Sequence, residues 1–356
     1  MIPLFQPYVN DKARENVQRV LSSGQLAQGP EVDLFEEEFA KTFGFEPWQI
    51  VSLNSGTSAL ELAYHMTFED GDHAIVPVLT CTATNIPLVR QGIDITFADV
   101  RSKSCLNLDH EDVDKKMLMK TKAVVFVHFG GSSEGLEDIE EVCEDNGVDL
   151  ICDAAQALGA PLSRKARFSI ISLQAIKSLT AGDGGVLVCR DREDAETARK
   201  LRWYGYDREK KQRLGDDDLE IAGFKMHMND ISAAIARGNL EDWQKIYDHR
   251  AAINVIYKKA ADGKDGDFVP GIWNPCMVGL NYEAAKEHCI KKDPLSMWDG
   301  FEIGQYHYRN DKYSVFRNFS GYCPNMDEIE NDYFMLPCHM GMTLEDAELI
   351  AKTIWP

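Results

Sequence analysis

Residues 122–129, K-A-V-V-F-V-H-F, are apolar almost without interruption and run straight into a Gly-Gly pair. A strand with one face in water alternates polar and apolar side chains, whereas a continuous apolar run suits a central parallel strand covered on both faces. Two more apolar runs follow at 148–152 (V-D-L-I-C) and 168–173 (F-S-I-I-S-L), and residues 136–143 between the first two carry a helical pattern. Strand candidates also lie at 49–52 and 95–100, and A-I-V-P-V, starting at Ala74, looks like a strand running into a helix with Pro77 at the junction. Strand and helix alternation of this kind predicts an α/β domain with a mostly parallel sheet and ligands at the strand carboxyl ends.

With 356 residues the chain can bury one large core or two modest ones. Its 58 acidic and 38 basic side chains leave a formal charge of −20, which repels nucleic acid and anionic membranes over most of the surface. An anionic substrate therefore needs a locally basic pocket. Nine cysteines without a repeated C-x-x-C spacing fit a reducing compartment better than a disulfide framework. No basic-then-apolar leader opens the chain and no apolar run approaches a membrane span, so a soluble, cytoplasmic protein is expected. Scattered histidines form no zinc-type cluster, and no metal is expected.

The run ending at Cys152 delivers Asp153 to the sheet edge, and Lys177 follows the 168–173 run in a segment that soon turns polar and Gly-rich. A carboxylate and an amine meeting in one crevice is the pairing pyridoxal phosphate chemistry requires: a Schiff-base lysine and an acid opposite the pyridine nitrogen. On spacing alone, a lysine placed like Lys177 is usually a solvated loop residue, and an aspartate placed like Asp153 is more often a turn or capping residue than a cofactor contact. N-S-G-T-S at 54–58 offers Gly56, Thr57 and Ser58 at a helix start, where backbone amides can hold phosphate or Ser55 and Thr57 can simply cap the helix.

The words D-A-A-Q-A-L-G-A (153–160), S-L-Q-A-I-K (172–177) and T-A-G-D-G-G (180–185) resemble the signature region of the DegT/DnrJ/EryC1/StrS family, the pyridoxal-phosphate-dependent nucleotide-sugar aminotransferases of fold type I. The resemblance covers residues 1–245 well and the remainder loosely. It implies an arm over 1–12, a large three-layer α/β cofactor domain over 13–240 and a smaller C-terminal α+β domain over 241–356. Lys177 would carry the internal aldimine, Asp153 would face the pyridine nitrogen, Gln156 would lie near the cofactor's 3-oxygen, and Ser172 with Gly56, Thr57 and Ser58 would hold the phosphate. Lys at position 177, where related sugar deoxygenases carry His, favours transamination over deoxygenation. The implied reaction transfers an amino group, with L-glutamate as the expected donor, to a nucleotide-linked keto sugar; a deoxygenase and a non-catalytic protein retaining the fold are the alternatives.

Three departures from the family pattern bear on the site. Cys81 stands where many members place an aromatic ring over the pyridine, and it reads either as a ring contact or as a free buried thiol. The segment 161–167 is shortened and carries Arg164, Lys165 and Arg167, either a phosphate subsite or a solvated loop. Lys225 replaces the Asn that reaches a neighbouring subunit's cofactor in relatives, so a homodimer with shared active sites is implied, with a surface role for Lys225 as the alternative. His307, Tyr308 and Arg309 lie in a late segment that reaches back toward substrate in the family, and they read as sugar or diphosphate contacts or as packing.

The remaining segments read as structure. Pro3 and Pro7 keep the first residues extended, and helices are expected over 12–21, 32–43, 194–202, 231–240, 243–260 and 342–354. Leu34, Phe35 and Phe39 are expected to pack on one face, as are Leu344, Ala347 and Ile350 behind a Thr343 cap. Residues 105–113 are expected to form a turn and helix, and the charged stretch to about 220 a mobile loop.

Overall fold

A computed structural model describes residues 1–207, 219–289, 300–305 and 307–356. The first nine strands are β1 (Ile50–Leu53), β2 (His73–Pro77), β3 (Asp94–Ala98), β4 (Val100–Ser102), β5 (Cys105–Leu108), β6 (Thr121–Val127), β7 (Asp149–Asp153), β8 (Phe168–Ser172) and β9 (Gly185–Cys189). Seven of them form one sheet in the order β1-β9-β8-β7-β6-β2-β3. Pairing is parallel from β3 through β2, β6 and β7 to β8, while β9 runs antiparallel to both β8 and β1. The apolar runs at 122–129, 148–152 and 168–173 are thus adjacent central strands, covered on both sides as their composition requires.

Alternate residues of these strands feed different cores. Ile170 and Leu187 pack with Leu60, Ala63 and Tyr64 of the helix Gly56–Thr67. Ile171, Val186 and Val188 face the other way, onto Val32, Phe35 and Phe39 of the helix Pro30–Phe43 and Ala233 and Ala236 of the helix Asp230–Leu240. Each fully buried Phe contributes on the order of 2–3 kcal/mol of transfer free energy. The result is a sheet between two helical layers.

The helix Trp243–Ala261 leads away from this sheet to a second, antiparallel one, built from β10 (Asp267–Val269), β11 (Cys276–Val278) and β12 (Tyr333–Met335). The last helix, Leu344–Ile354, packs against it behind Thr343, whose hydroxyl accepts from the amide of Asp346 while the Asp346 carboxylate accepts from that of Thr343. The extended N-terminal arm docks here too: the amide of Ile2 donates to the Gly300 carbonyl at 2.9 Å, that of Leu4 donates to Glu302 at 3.1 Å, and Leu4 is buried.

Local expectations fail at three points. Residues 105–108 are a strand, because C-L-N-L pairs back on β4 in a hairpin before the short helix His110–Lys115 begins. Leu34 is 39% exposed while Val32, Phe35 and Phe39 fill the core, so the buried stripe is rotated by one position. Leu344, at the first turn of its helix, is likewise exposed and leaves the apolar face to Ala347, Ile350 and Ala351. The proposed loop up to residue 220 falls largely on 208–218, outside the described residues.

Candidate active site

Asp153 ends β7 at the carboxyl edge of the sheet and is buried. Its Oδ2 accepts the Thr84 hydroxyl at 2.7 Å and its Oδ1 accepts the Ala155 amide at 3.0 Å. Thr84 is joined in turn to Thr80 at 2.8 Å; because the Thr84 proton goes to Asp153, Thr80 supplies the proton of that bond. Burial raises the Asp153 pKa, opposed by the Thr84 and Ala155 bonds and by the charge of Lys177.

Lys177 stands beyond the end of β8 in the same recess. Desolvation lowers its pKa to about 8, while Asp153 and Cys81 pull the other way. An ordinary lysine is almost wholly protonated at neutral pH; this one has an appreciable free-amine fraction. Its Nζ lies 3.9 Å from the ring centroid of Trp273. Cys81 precedes the helix Thr82–Arg90, is partly buried, and interacts electrostatically with both Asp153 and Lys177. Its own pKa is raised by burial, which keeps the thiol protonated and soft rather than nucleophilic.

The other end of the recess is formed where the helix Gly56–Thr67 starts against the end of β8. Ser55 caps this helix, its hydroxyl accepting the Ser58 amide at 3.0 Å and bonding the Ser58 hydroxyl at 2.9 Å. Capping by Ser55 and an anion seat at Gly56 and Thr57 are therefore compatible. A Cβ on Gly56 would stand 2.9 Å from the Ser172 Cβ, and one on Gly185 would stand 2.4 Å from the Ser55 carbonyl carbon. These two glycines let the helix start press onto Ser172, leaving small side chains, hydroxyls and positive helix-end amides around one point.

The third wall is formed by Gln156 and His307, 151 residues apart in the chain. Gln156 Oε1 accepts the Gly130 amide at 2.7 Å, which turns its Nε2 toward His307 Nε2 at 2.8 Å. The amide donates, so the imidazole accepts at Nε2 and is neutral; burial and Lys177 push its pKa down to about 3. Tyr308 and Arg309 are turned into a carboxylate cluster instead. The Tyr308 hydroxyl bonds Glu330, and Arg309 pairs through Nε and Nη2 with Asp311 and through Nη1 with Asp327 and Glu330. Backbone pairing of Arg309 with Leu79 ties this segment to the loop carrying Thr80 and Cys81. The guanidinium is thereby committed to protein carboxylates, and in this geometry it secures the segment rather than offering itself to a diphosphate.

Lys225 is exposed, on a segment that pairs with Trp203 and is followed by the Leu53–His227 bridge at the edge of β1. In the 161–167 segment, Arg167 bridges Asp149 and Asp194, Lys165 pairs with Glu144, and Arg164 lies over Phe45. The basic island is thus held by neighbouring acids and an aromatic ring. Two participants went unread in the sequence. Thr84 lies in the same P-V-L-T-C-T-A-T stretch as Cys81, and its position there was the available signal; Trp273 sits in a G-I-W-N-P-C loop with no periodicity to single it out.

Together, these residues fit a planar pyridine carrying a phosphate: an acid and an amine facing one recess, and a cradle that any side chain on residue 56 would fill. Among the described residues no group of His, Cys, Asp and Glu is arranged to hold a metal ion, and no helix is long and apolar enough to cross a membrane.

Comparison with known proteins agrees with this geometry. Over 283 residues the chain is 30% identical to dTDP-4-dehydro-2,3,6-trideoxy-D-glucose 4-aminotransferase of Saccharopolyspora spinosa, covering 76% of this chain and 73% of that one. Identity to the spore coat polysaccharide biosynthesis protein SpsC of Bacillus subtilis (strain 168) is 31% over 285 residues, 77% of this chain and 71% of the relative. The crystal structure of sugar aminotransferase CalS13 from Micromonospora echinospora superposes with a TM-score of 0.90 at 27% identity, covering 99% of both chains. The model of the DegT/DnrJ/EryC1/StrS aminotransferase family matches residues 7–355, nearly the whole length, and the chain belongs to that family, with the fold-type I architecture its sheet order describes.

Proposed function

We propose that the protein is a pyridoxal-phosphate-dependent aminotransferase that passes an amino group, with L-glutamate as donor, to a keto sugar linked to a nucleotide. The observation that carries this reading is the Lys177 amine, its pKa brought down to about 8, sharing one recess with the buried Asp153 carboxylate. The sugar-nucleotide class is supported by the relatives' activities, among them the dTDP-sugar aminotransferase of Saccharopolyspora spinosa. In this reading residues 13–240 bind the cofactor, 241–356 form the small domain, and a cytoplasmic homodimer shares its sites through Lys225.

Bound pyridoxal phosphate supplies an electron sink that accepts the pair left when a proton leaves the carbon bearing nitrogen. Asp153, whose charged form Thr84 and Ala155 favour against burial, would accept a hydrogen bond from the pyridinium nitrogen and hold it positive. Gln156, pinned by Gly130 and His307, would stand beside the 3-oxygen. Gly56, Thr57, Ser58 and Ser172 would hold the phosphate, the first through backbone amides and the last through its hydroxyl. Lys177 would take the proton from the donor's α-carbon and deliver it to the cofactor carbon across the shared nitrogen, and would move a proton the other way when the sugar is aminated. A pKa near 8 suits both directions at neutral pH. Cys81 would offer the ring a small, polarisable side chain.

The reading is tested by adding L-glutamate to cofactor-loaded protein and following 2-oxoglutarate in a single turnover, then supplying nucleotide-linked keto sugars and weighing the products. One equivalent of 2-oxoglutarate followed by an amino sugar supports it. A product that has lost a hydroxyl without gaining nitrogen would replace it with deoxygenation, loaded protein that releases no 2-oxoglutarate would point to another donor or reaction, and failure to load the cofactor at all would favour a binding protein.

A further inference from the structure

The catalytic lysine has a neutral neighbour that the reaction scheme does not use. Trp273 lies in the connection between β10 and β11, is fully buried, and presents its ring to Lys177 Nζ at 3.9 Å from the centroid. The Trp273 amide donates to the Gly130 carbonyl at 3.0 Å, and its carbonyl accepts from Arg250 Nη1 at 2.6 Å. The indole Nε1 donates to the carbonyl of Ile176 at 3.0 Å, one residue before Lys177. Phe5 of the N-terminal arm stacks on the ring at 5.1 Å and 16°, and His307 lies at 6.1 Å and 27°.

We propose that Trp273 is a positioning residue for the lysine amine: its indole face seats the Lys177 ammonium whenever that amine is not bonded to the cofactor, and its N–H fixes the backbone from which the lysine swings. The role in turnover rests on the aminotransferase reading; the seat itself does not.

The choice of an aromatic face has a chemical reason. The free lysine must be cationic after it takes a proton and neutral before it takes the next. A carboxylate in direct contact would bind the ammonium tightly and hold the proton on it, whereas an apolar wall would leave a buried charge without support. A ring face attracts the cation through its quadrupole and still lets the proton leave. Among the described residues, the ionisable groups facing Lys177 are Asp153 from β7, Cys81 from the head of the Thr82–Arg90 helix and His307 from the late segment; Asp153 and Cys81 raise the lysine pKa, and neutral His307 adds no charge. The indole acts in the same direction as Asp153 without forming an ion pair.

The test uses the full-length chain prepared without cofactor, with the pH dependence of Lys177 labelling by a small amine-directed acylating reagent read from the mass of the Lys177 peptide. Trp273→Leu should move the labelling midpoint down by about one pH unit, a roughly tenfold change in free-amine fraction, and Trp273→Phe should move it by less than half as much. An unchanged midpoint in Trp273→Leu overturns the proposal. So does an upward shift, because admitting water to a ring that merely excluded it would raise the lysine pKa. If Trp273→Leu does not fold, fluorinated tryptophans placed at position 273 keep the shape while draining the ring face of charge. A stepwise downward shift with added fluorine supports the seat, and no shift overturns it. None of these readouts needs transamination, so a protein that fails to aminate sugars would leave the result standing.

Discussion

Thr84 donates its hydroxyl to Asp153 across 2.7 Å, and both side chains are buried. Burial pushes the Asp153 pKa up and so favours its neutral form, which could not hold a pyridinium. The Thr80–Thr84–Asp153 chain works against that by committing one oxygen of the carboxylate to a donor that itself has a donor behind it. Thr84→Val keeps the shape and removes the bond. A hydrogen bond to a charged group contributes roughly 1.5–3 kcal/mol, so kcat should fall about 10- to 100-fold, and the melting temperature should fall with it because the bond is already made in the resting fold. Turnover and melting measured side by side check this; equal kcat in Thr84→Val would mean that Asp153 is held anionic by other means.

Lys177 should be the attachment point of the cofactor. Borohydride reduction of the loaded protein should fix the cofactor mass on the Lys177 peptide, and Lys177→Ala should lose both this adduct and single-turnover formation of 2-oxoglutarate. Lys177→Arg retains charge but offers no releasable proton near neutral pH, so it should be as inactive as the alanine variant. Adduct on another lysine would move the site.

At Gly56 the packing itself makes the prediction. An alanine there would bring its Cβ to 2.9 Å from the Ser172 Cβ, so the helix start or the end of β8 must shift. If this is the phosphate seat, Gly56→Ala should weaken pyridoxal phosphate binding about tenfold or more while hardly affecting pyridoxal, which lacks the phosphate. Equal losses for the two ligands would show that the strain acts on the fold rather than on the seat.

The exposed Lys225 makes a prediction about assembly. If its ammonium serves the neighbouring subunit's cofactor, a dimer pairing a Lys225→Ala chain with a Lys177→Ala chain contains one site with both lysines intact. Such mixed dimers should recover about half of wild-type activity, whereas either variant alone stays low. Activity in the mixture no greater than the sum of the two separate variants would confine Lys225 to its own subunit.

What could be read in advance follows the range of the forces involved. The strands at 122–129, 148–152 and 168–173 were legible because burial on both faces leaves no polar residue to interrupt them. The helix cap at Thr343 was legible because a cap is made within three residues. Asp153 and Lys177 stood out through motif resemblance, and the fold brings the two side chains within electrostatic reach of each other. Trp273 was invisible because its partner Ile176 is 97 residues away, and Gln156 finds His307 at a separation of 151. Leu34 was misread because periodicity gives the spacing of an apolar stripe but not which neighbouring position faces the sheet. Arg309 looked like a diphosphate ligand because sequence does not reveal that Asp311, Asp327 and Glu330 converge on it.

His128, outside the proposed chemistry, sets how the protein should respond to acid. It follows β6, is fully buried, and bonds the Ser133 hydroxyl through Nδ1 at 3.1 Å. Ser133 gives its own proton to the Pro161 carbonyl, so the imidazole must donate at Nδ1, which leaves Nε2 as an acceptor without a partner among the described residues. Burial pushes its pKa down to about 4 from 6.5, against a smaller upward pull from the Ser132 backbone. As pH falls through 6.5 the unfolded chain takes up this proton and the folded one does not, so stability is lost between pH 6.5 and 4 and then levels off. The shift corresponds to roughly 3 kcal/mol for this one residue. His307, pushed down to about 3, adds to the same acid sensitivity. His128→Asn retains a donor toward Ser133 but does not titrate in this range, so urea midpoints of the variant should fall less steeply from pH 6.5 to 4 than those of the wild type. Parallel slopes would mean that His128 meets the proton equally well folded and unfolded.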